Sequence, residues 1–102
     1  MKFRSKIDFD AINRAALNRL PDLCAHWLPD GRRRGHEYIA LNPRRLDRGA
    51  GSFKVNLQSG LWADFAIGVG GGDPISLAAY LSGLSQSEAA RRLAEMLGVP
   101  ND

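Results

Sequence analysis

Ser52-Phe53-Lys54-Val55-Asn56-Leu57-Gln58-Ser59-Gly60-Leu61-Trp62-Ala63-Asp64-Phe65 is the stretch that decides the fold. Its first six residues alternate, with Phe53, Val55 and Leu57 on one face and Ser52, Lys54 and Asn56 on the other. That period of two is the pattern of a half-buried strand. Gln58-Ser59-Gly60 reads as a hairpin turn with glycine at its left-handed position. Across such a turn Leu61, Ala63 and Phe65 continue the buried face. Trp62 and Asp64 then lie on the face shared with Lys54. The expectation is an antiparallel hairpin.

Upstream, Glu37-Tyr38-Ile39-Ala40-Leu41 reads as a further strand, ended by Asn42-Pro43 because proline cannot donate to a ladder. Arg44 to Gly51 is a polar loop. Asp8 to Leu28 reads as two helical pieces. Asp8 or Asp10 caps the first, whose apolar spacing runs through Ile12, Ala16 and Leu20, and Pro21 suits the first turn of the second. Downstream, Asp73-Pro74 caps and opens a helix that stops at Gly83. Ser85-Gln86-Ser87-Glu88 has the pattern of a capping box and opens another, closed by Gly98 and Pro100. The order α-α-β-β-β-α-α describes one α+β domain over residues 1–102. It has a small antiparallel sheet, a ribbon-like hairpin, at residues 36–67. Helices flank the sheet at residues 8–28 and 73–98.

Composition narrows the function. The chain has 102 residues, 44% of them hydrophobic, enough for one modest core. Cys24 is the only cysteine, so no intrachain disulfide forms, and one Cys with two His falls short of a four-ligand zinc site. No apolar run is long enough to span a bilayer and the N-terminus lacks a signal peptide's apolar stretch, which makes the cytoplasm the expected compartment. The net charge of +3 is uneven: Gly31 to Lys54 holds six arginines and one lysine against Glu37 and Asp47. A basic block of this kind favours a polyanion through counterion release, or is simply solvated surface.

No catalytic set emerges. Cys24 lies among Leu23, Ala25 and Trp27, as a core thiol would, and His26 reads as helix surface. His36, within the basic stretch, is either a phosphate contact or a solvent histidine. Gly68 to Asp73 precedes a helix, as phosphate loops do, but no Gly-Lys-Ser/Thr follows and Asp73 itself takes the cap, which leaves a tight turn as the structural reading. No cofactor and no metal is expected. Trp62 beside Lys54 reads either as a stacking platform for unpaired bases or as packing under the terminal helices, and Tyr38 shares that ambiguity.

Ser52-Phe53-Lys54-Val55, Trp62-x-Asp64-Phe65-x-Ile67-Gly68 and Gly71-Gly72-Asp73-x-Ile75 together resemble the zinc-ribbon module of bacterial and phage primases. Asn42-Pro43-Arg44-Arg45 stands where that family has Cys-Pro-x-His, and Glu88-Ala89-Ala90 with Leu93-Ala94 matches its trailing helix. The resemblance spans roughly Asn42 to Val99. On it, the four metal-ligand positions become Asn42, Arg45, Asp64 and Ile67, none a thiolate or imidazole, so it implies a ribbon without its metal. A ribbon normally gains much of its folding energy from the metal. An Arg45–Asp64 ion pair with Asn42 hydrogen-bonded nearby is the expected replacement. The arrangement from Gly35-His36-Glu37-Tyr38 onward resembles, more narrowly, the N-terminal region of mobile-element and phage-type primase/helicase proteins, which commonly continue into a Toprim or helicase domain.

The resemblance implies a noncatalytic module that binds single-stranded DNA or a primer-template in DNA replication. Arg44, Arg45, Arg48 and Lys54 would contact phosphates, Arg32, Arg33 and Arg34 would form a flexible supplementary clamp, and Trp62 would stack, with Tyr38 as a further candidate. The alternative is an adaptor that docks on a partner polymerase, primase or helicase through Trp62, Tyr38 and the C-terminal helix. Gly98-Val99-Pro100 reads as the start of a linker, as in a piece of a longer protein.

Overall fold

The computed structural model describes residues 7–44 and 52–100. Its elements run α1 (Phe9–Asn18), α2 (Leu20–Trp27), β1 (Arg32–Arg34), β2 (Glu37–Ala40), β3 (Phe53–Asn56), β4 (Trp62–Asp64), β5 (Val69–Gly71), α3 (Pro74–Ser82) and α4 (Gln86–Leu97). The α+β class is as expected, with five strands where three were read. The five form one antiparallel sheet whose spatial order follows the chain, β1-β2-β3-β4-β5.

Local chemistry accounts for the helices. The Asp8 carboxylate accepts from the Ala11 amide at 3.0 Å and starts α1. At α3 the Asp73 carboxylate accepts from the Ser76 amide at 2.8 Å while Ser76 Oγ reaches back to Asp73, so the reciprocal box forms here. At α4 the Ser85 hydroxyl accepts from the Glu88 amide at 3.1 Å, but the Glu88 carboxylate turns to Arg91 and Arg92. Gly83 and Gly98 close the two helices in left-handed caps. Across the domain, Asn13 of α1 accepts from the Ile75 amide at 2.9 Å and satisfies an orphan donor in the first turn of α3.

The hairpin corrects the sequence reading at one point with large consequences. Val55 pairs with Trp62 and Phe53 with Asp64, so the loop holds four residues, Leu57 to Gly60, rather than three. Asn56 dictates this: its side-chain oxygen accepts from the Gln58 and Ser59 amides, both at 2.9 Å, as an Asx turn. Gly60 completes the loop at φ +83°, with Pro74 so close that a Cβ would sit 3.0 Å from it. A one-residue slip exchanges the faces of a strand. Trp62 and Asp64 therefore point into the core, while Leu61 and Phe65 point to solvent at 57% and 71% exposure.

Two other expectations change. Arg32–Arg34 is not a flexible segment but an edge strand, held by pairing of Arg32 with Ile39 and Arg34 with Glu37. Val69–Gly71, read as a turn, pairs with β4 as the opposite edge.

The core lies between the inner sheet face and the helices. Phe53 and Val55 meet Ile12, Leu20, Ile75, Leu77 and Leu93, all fully or almost fully buried. Phe53, Trp62 and Tyr80 form an aromatic cluster with centroids 5.0 to 6.2 Å apart. Tyr38 is buried too, and its hydroxyl donates to the Leu28 carbonyl at 2.8 Å. Burial pushes the Cys24 thiol from its ordinary 9.0 up to about 12, and raises the Tyr38 hydroxyl, with the charges of Cys24 and Asp30 adding to the effect.

These shifts set an alkaline limit on stability. Between pH 9 and 12 the unfolded chain has released the Cys24 proton that the native state keeps, so stability present below pH 9 is lost as pH rises. One such proton corresponds to a slope of about 1.4 kcal/mol per pH unit. Tyr38 acts in the same direction above its ordinary 10.0. Urea unfolding from pH 7 to 11 should show the fall, and Cys24→Ala should make it shallower. An unchanged slope in that variant would exclude the thiol as its source.

Candidate functional site

Strand pairing arranges the outer sheet face in rows. One row runs Arg32, Ile39, Lys54, Ala63 and Gly70 from β1 to β5. A second runs Arg34, Glu37, Asn56 and Leu61, its last link the 2.7 Å bond from the Asn56 amide to the Leu61 carbonyl. A third begins where the Phe65 amide bonds the Ser52 carbonyl at 2.9 Å. Among the described residues no helix covers these side chains, because α1, α3 and α4 pack on the opposite face around Phe53 and Val55.

On this face Lys54 Nζ stands 6.0 Å from the centroid of the Phe65 ring, within cation–π range. Leu61, Phe65, Lys54, Asn56 and Glu37 rim a shallow cleft of about 290 Å³ over Ala63. A large exposed aromatic flanked by cations is the arrangement that stacks and neutralises an unpaired nucleic-acid strand.

The structure sorts the residues singled out by sequence. Arg32, Arg34 and Lys54 share the outer face. Arg33 lies opposite Tyr38 on the other side of the sheet, and its Nε donates to the Gly35 carbonyl at 3.0 Å. Trp62, at 6% exposure, gives its Nε1–H to Ser76 Oγ at 2.9 Å, and Tyr38 is equally enclosed. Neither offers a ring face to a base. Arg44 is exposed but tied to α3, donating to the Tyr80 carbonyl at 2.8 Å with its guanidinium carbon 5.2 Å from the Tyr80 ring centroid. His36 sits exposed in the turn between β1 and β2. Arg45 and Arg48 lie outside the described residues, so the expected Arg45–Asp64 pair does too.

Asn42 and Asp64 do meet. Both are buried, and Asn42 Nδ2 donates to Asp64 Oδ2 and to the Tyr80 hydroxyl, each at 2.8 Å. Asn42 Oδ1 accepts from the Arg44 amide at 2.8 Å, and Asp64 Oδ1 from the Ala66 amide at 3.0 Å. The network binds the end of β2, the end of β4 and α3 to one another. Ile67 is solvent-exposed in the turn after β4, outside this network, its amide donating to the Asp64 carbonyl at 3.3 Å. Among the described residues, no group of three His, Cys, Asp or Glu side chains gathers as a metal set. No helix among them is long and apolar enough to cross a membrane.

Phe65, Leu61 and Glu37 are the outer-face residues that sequence reasoning missed. For Leu61 and Phe65 the signal was Asn56, whose preference for an Asx turn lengthens the loop by one residue and turns β4 over.

No model of a known protein family matches the chain, and neither does any curated protein.

Proposed function

We propose that this chain is a noncatalytic, cytoplasmic single-stranded DNA or template-binding module of a primase-like replication protein, and that its open sheet face makes the contact. The observation that carries the reading is Phe65, the most exposed large hydrophobic among the described residues, with Lys54 beside it and Arg32 and Arg34 on the same face. Base–aromatic stacking contributes about 1–3 kcal/mol per base, and the cations take up phosphates. The motif resemblance to primase ribbons supports the replication context. Two of the four positions it assigns to metal ligands, Asn42 and Asp64, are joined by a 2.8 Å hydrogen bond.

Binding to oligo-dT should weaken as salt rises, with a log–log slope near −2 if Arg32, Arg34 and Lys54 each neutralise one phosphate. Lys54→Glu should weaken binding to all sequences alike and make the slope shallower by at least ~0.7. Fluorescence anisotropy between 50 and 300 mM salt measures both. Salt-independent binding, or none, would remove the basis of the reading.

A protein-interaction adaptor is the second reading. It no longer rests on Trp62 and Tyr38, which are buried, but on an apolar cleft of about 350 Å³ between Trp27, Pro43, Leu81, Leu84 and Met96. Under it, oligonucleotide binding is absent.

A further inference from the structure

Resting on the nucleic-acid reading, we propose that the cleft between Leu61 and Phe65 is a base-reading slot, and that it selects guanine in the bound strand. The walls are Leu61 and Phe65, which flank β4 two residues to either side of Ala63, and Ala63 is a small floor between them. At about 290 Å³ the cleft sits at the bottom of the range for small-molecule sites, which suits one planar heterocycle lying against the Phe65 ring.

The rim supplies the selectivity. Glu37 is the one acid in the rows of this otherwise basic face. It is exposed and makes no ion pair among the described residues. A carboxylate there repels every phosphate that Arg32, Arg34 and Lys54 attract, so it weakens nonspecific binding. On this proposal its contribution comes from donors on a base. A carboxylate only accepts, and an ammonium only donates. Guanine meets both, because its N1–H and N2–H₂ offer two parallel donors to Glu37 while O6 and N7 offer acceptors to Lys54. Thymine has one ring N–H, and adenine and cytosine each have one amino group, so none fills a bidentate carboxylate in the same pose.

The test uses four octamers of thymidine in which one central position is dG, dA, dC or dT. Their binding to the full chain and to Glu37→Gln is read by anisotropy at fixed salt. The wild-type chain should bind the dG octamer roughly tenfold more tightly than the dT octamer, the scale of one bidentate base contact. Glu37→Gln should erase that preference while raising affinity for the dT octamer, because a repulsive charge is gone. Equal affinity for all four octamers in the wild type would overturn the slot and leave the strand-binding reading standing. So would a dG preference that survives Glu37→Gln. No binding to any octamer would overturn both readings. Glu37 is exposed on β2, and circular dichroism of the variant checks that the sheet is intact.

Discussion

Asp64→Ala is expected to lower the unfolding free energy by about 3–5 kcal/mol, enough to leave a domain of this size only marginally folded. The carboxylate is fully buried and accepts from Asn42 Nδ2 at 2.8 Å and from the Ala66 amide at 3.0 Å. Hydrogen bonds to a charged group contribute about 1.5–3 kcal/mol each, and truncation strands these donors in a buried site. The loss would spread, because Asn42 also holds the Tyr80 hydroxyl and the Arg44 amide. Asp64→Asn keeps one acceptor but turns an amide N–H₂ toward that of Asn42, so an intermediate loss is expected. Denaturant titration of the three proteins gives the order wild type, Asn, Ala. On the proposed reading, in which hydrogen bonds occupy the positions the resemblance assigns to metal ligands, EDTA should leave the wild-type midpoint where it is. A midpoint that drops on chelation would show that some metal contributes after all.

Phe65→Ala and Trp62→Ala should separate binding from folding. Phe65 is 71% exposed and supports no core contact, so its removal should leave stability within about 0.5 kcal/mol. Affinity for single strands should fall by about 1–3 kcal/mol, roughly 5- to 150-fold. Trp62 fills the core against Phe53 and Tyr80 and bonds Ser76, so its truncation should cost about 3–5 kcal/mol of stability. Thermal melts and anisotropy on the same two variants test the contrast. Loss of binding with Trp62→Ala in a fully folded chain, and none with Phe65→Ala, would reverse the assignment of faces.

Those two aromatics also show how far the residues could be read in advance. Helix limits were legible because Asp73-Pro74, Gly83, Ser85 and Gly98 act within a single turn, where capping chemistry needs no distant partner. The alternation of Phe53, Val55 and Leu57 was legible for the same local reason. The face of β4 was not, since it depends on whether the loop holds three residues or four, and both lengths accept a glycine at the end. β1 stayed hidden because Arg32-Arg33-Arg34 has neither apolar alternation nor β-branching, and its pairing comes from a hairpin turn at Gly35-His36. The meeting of Asn42 with Asp64 was foreseeable only through the primase-like motif spacing, because nothing local links residues 22 positions apart.

The sheet's spatial order, identical to its order along the chain, bears on how the molecule reaches its native state. Each strand pairs with the next through a short or moderate loop, so pairing can advance one hairpin at a time at low loop-closure cost. The bond from the Ile75 amide to Asn13 spans 62 positions and cannot form until α3 exists. We therefore expect α1 to dock late. Mutations on its inner side, such as Ile12→Val, should speed unfolding while leaving the refolding rate nearly unchanged.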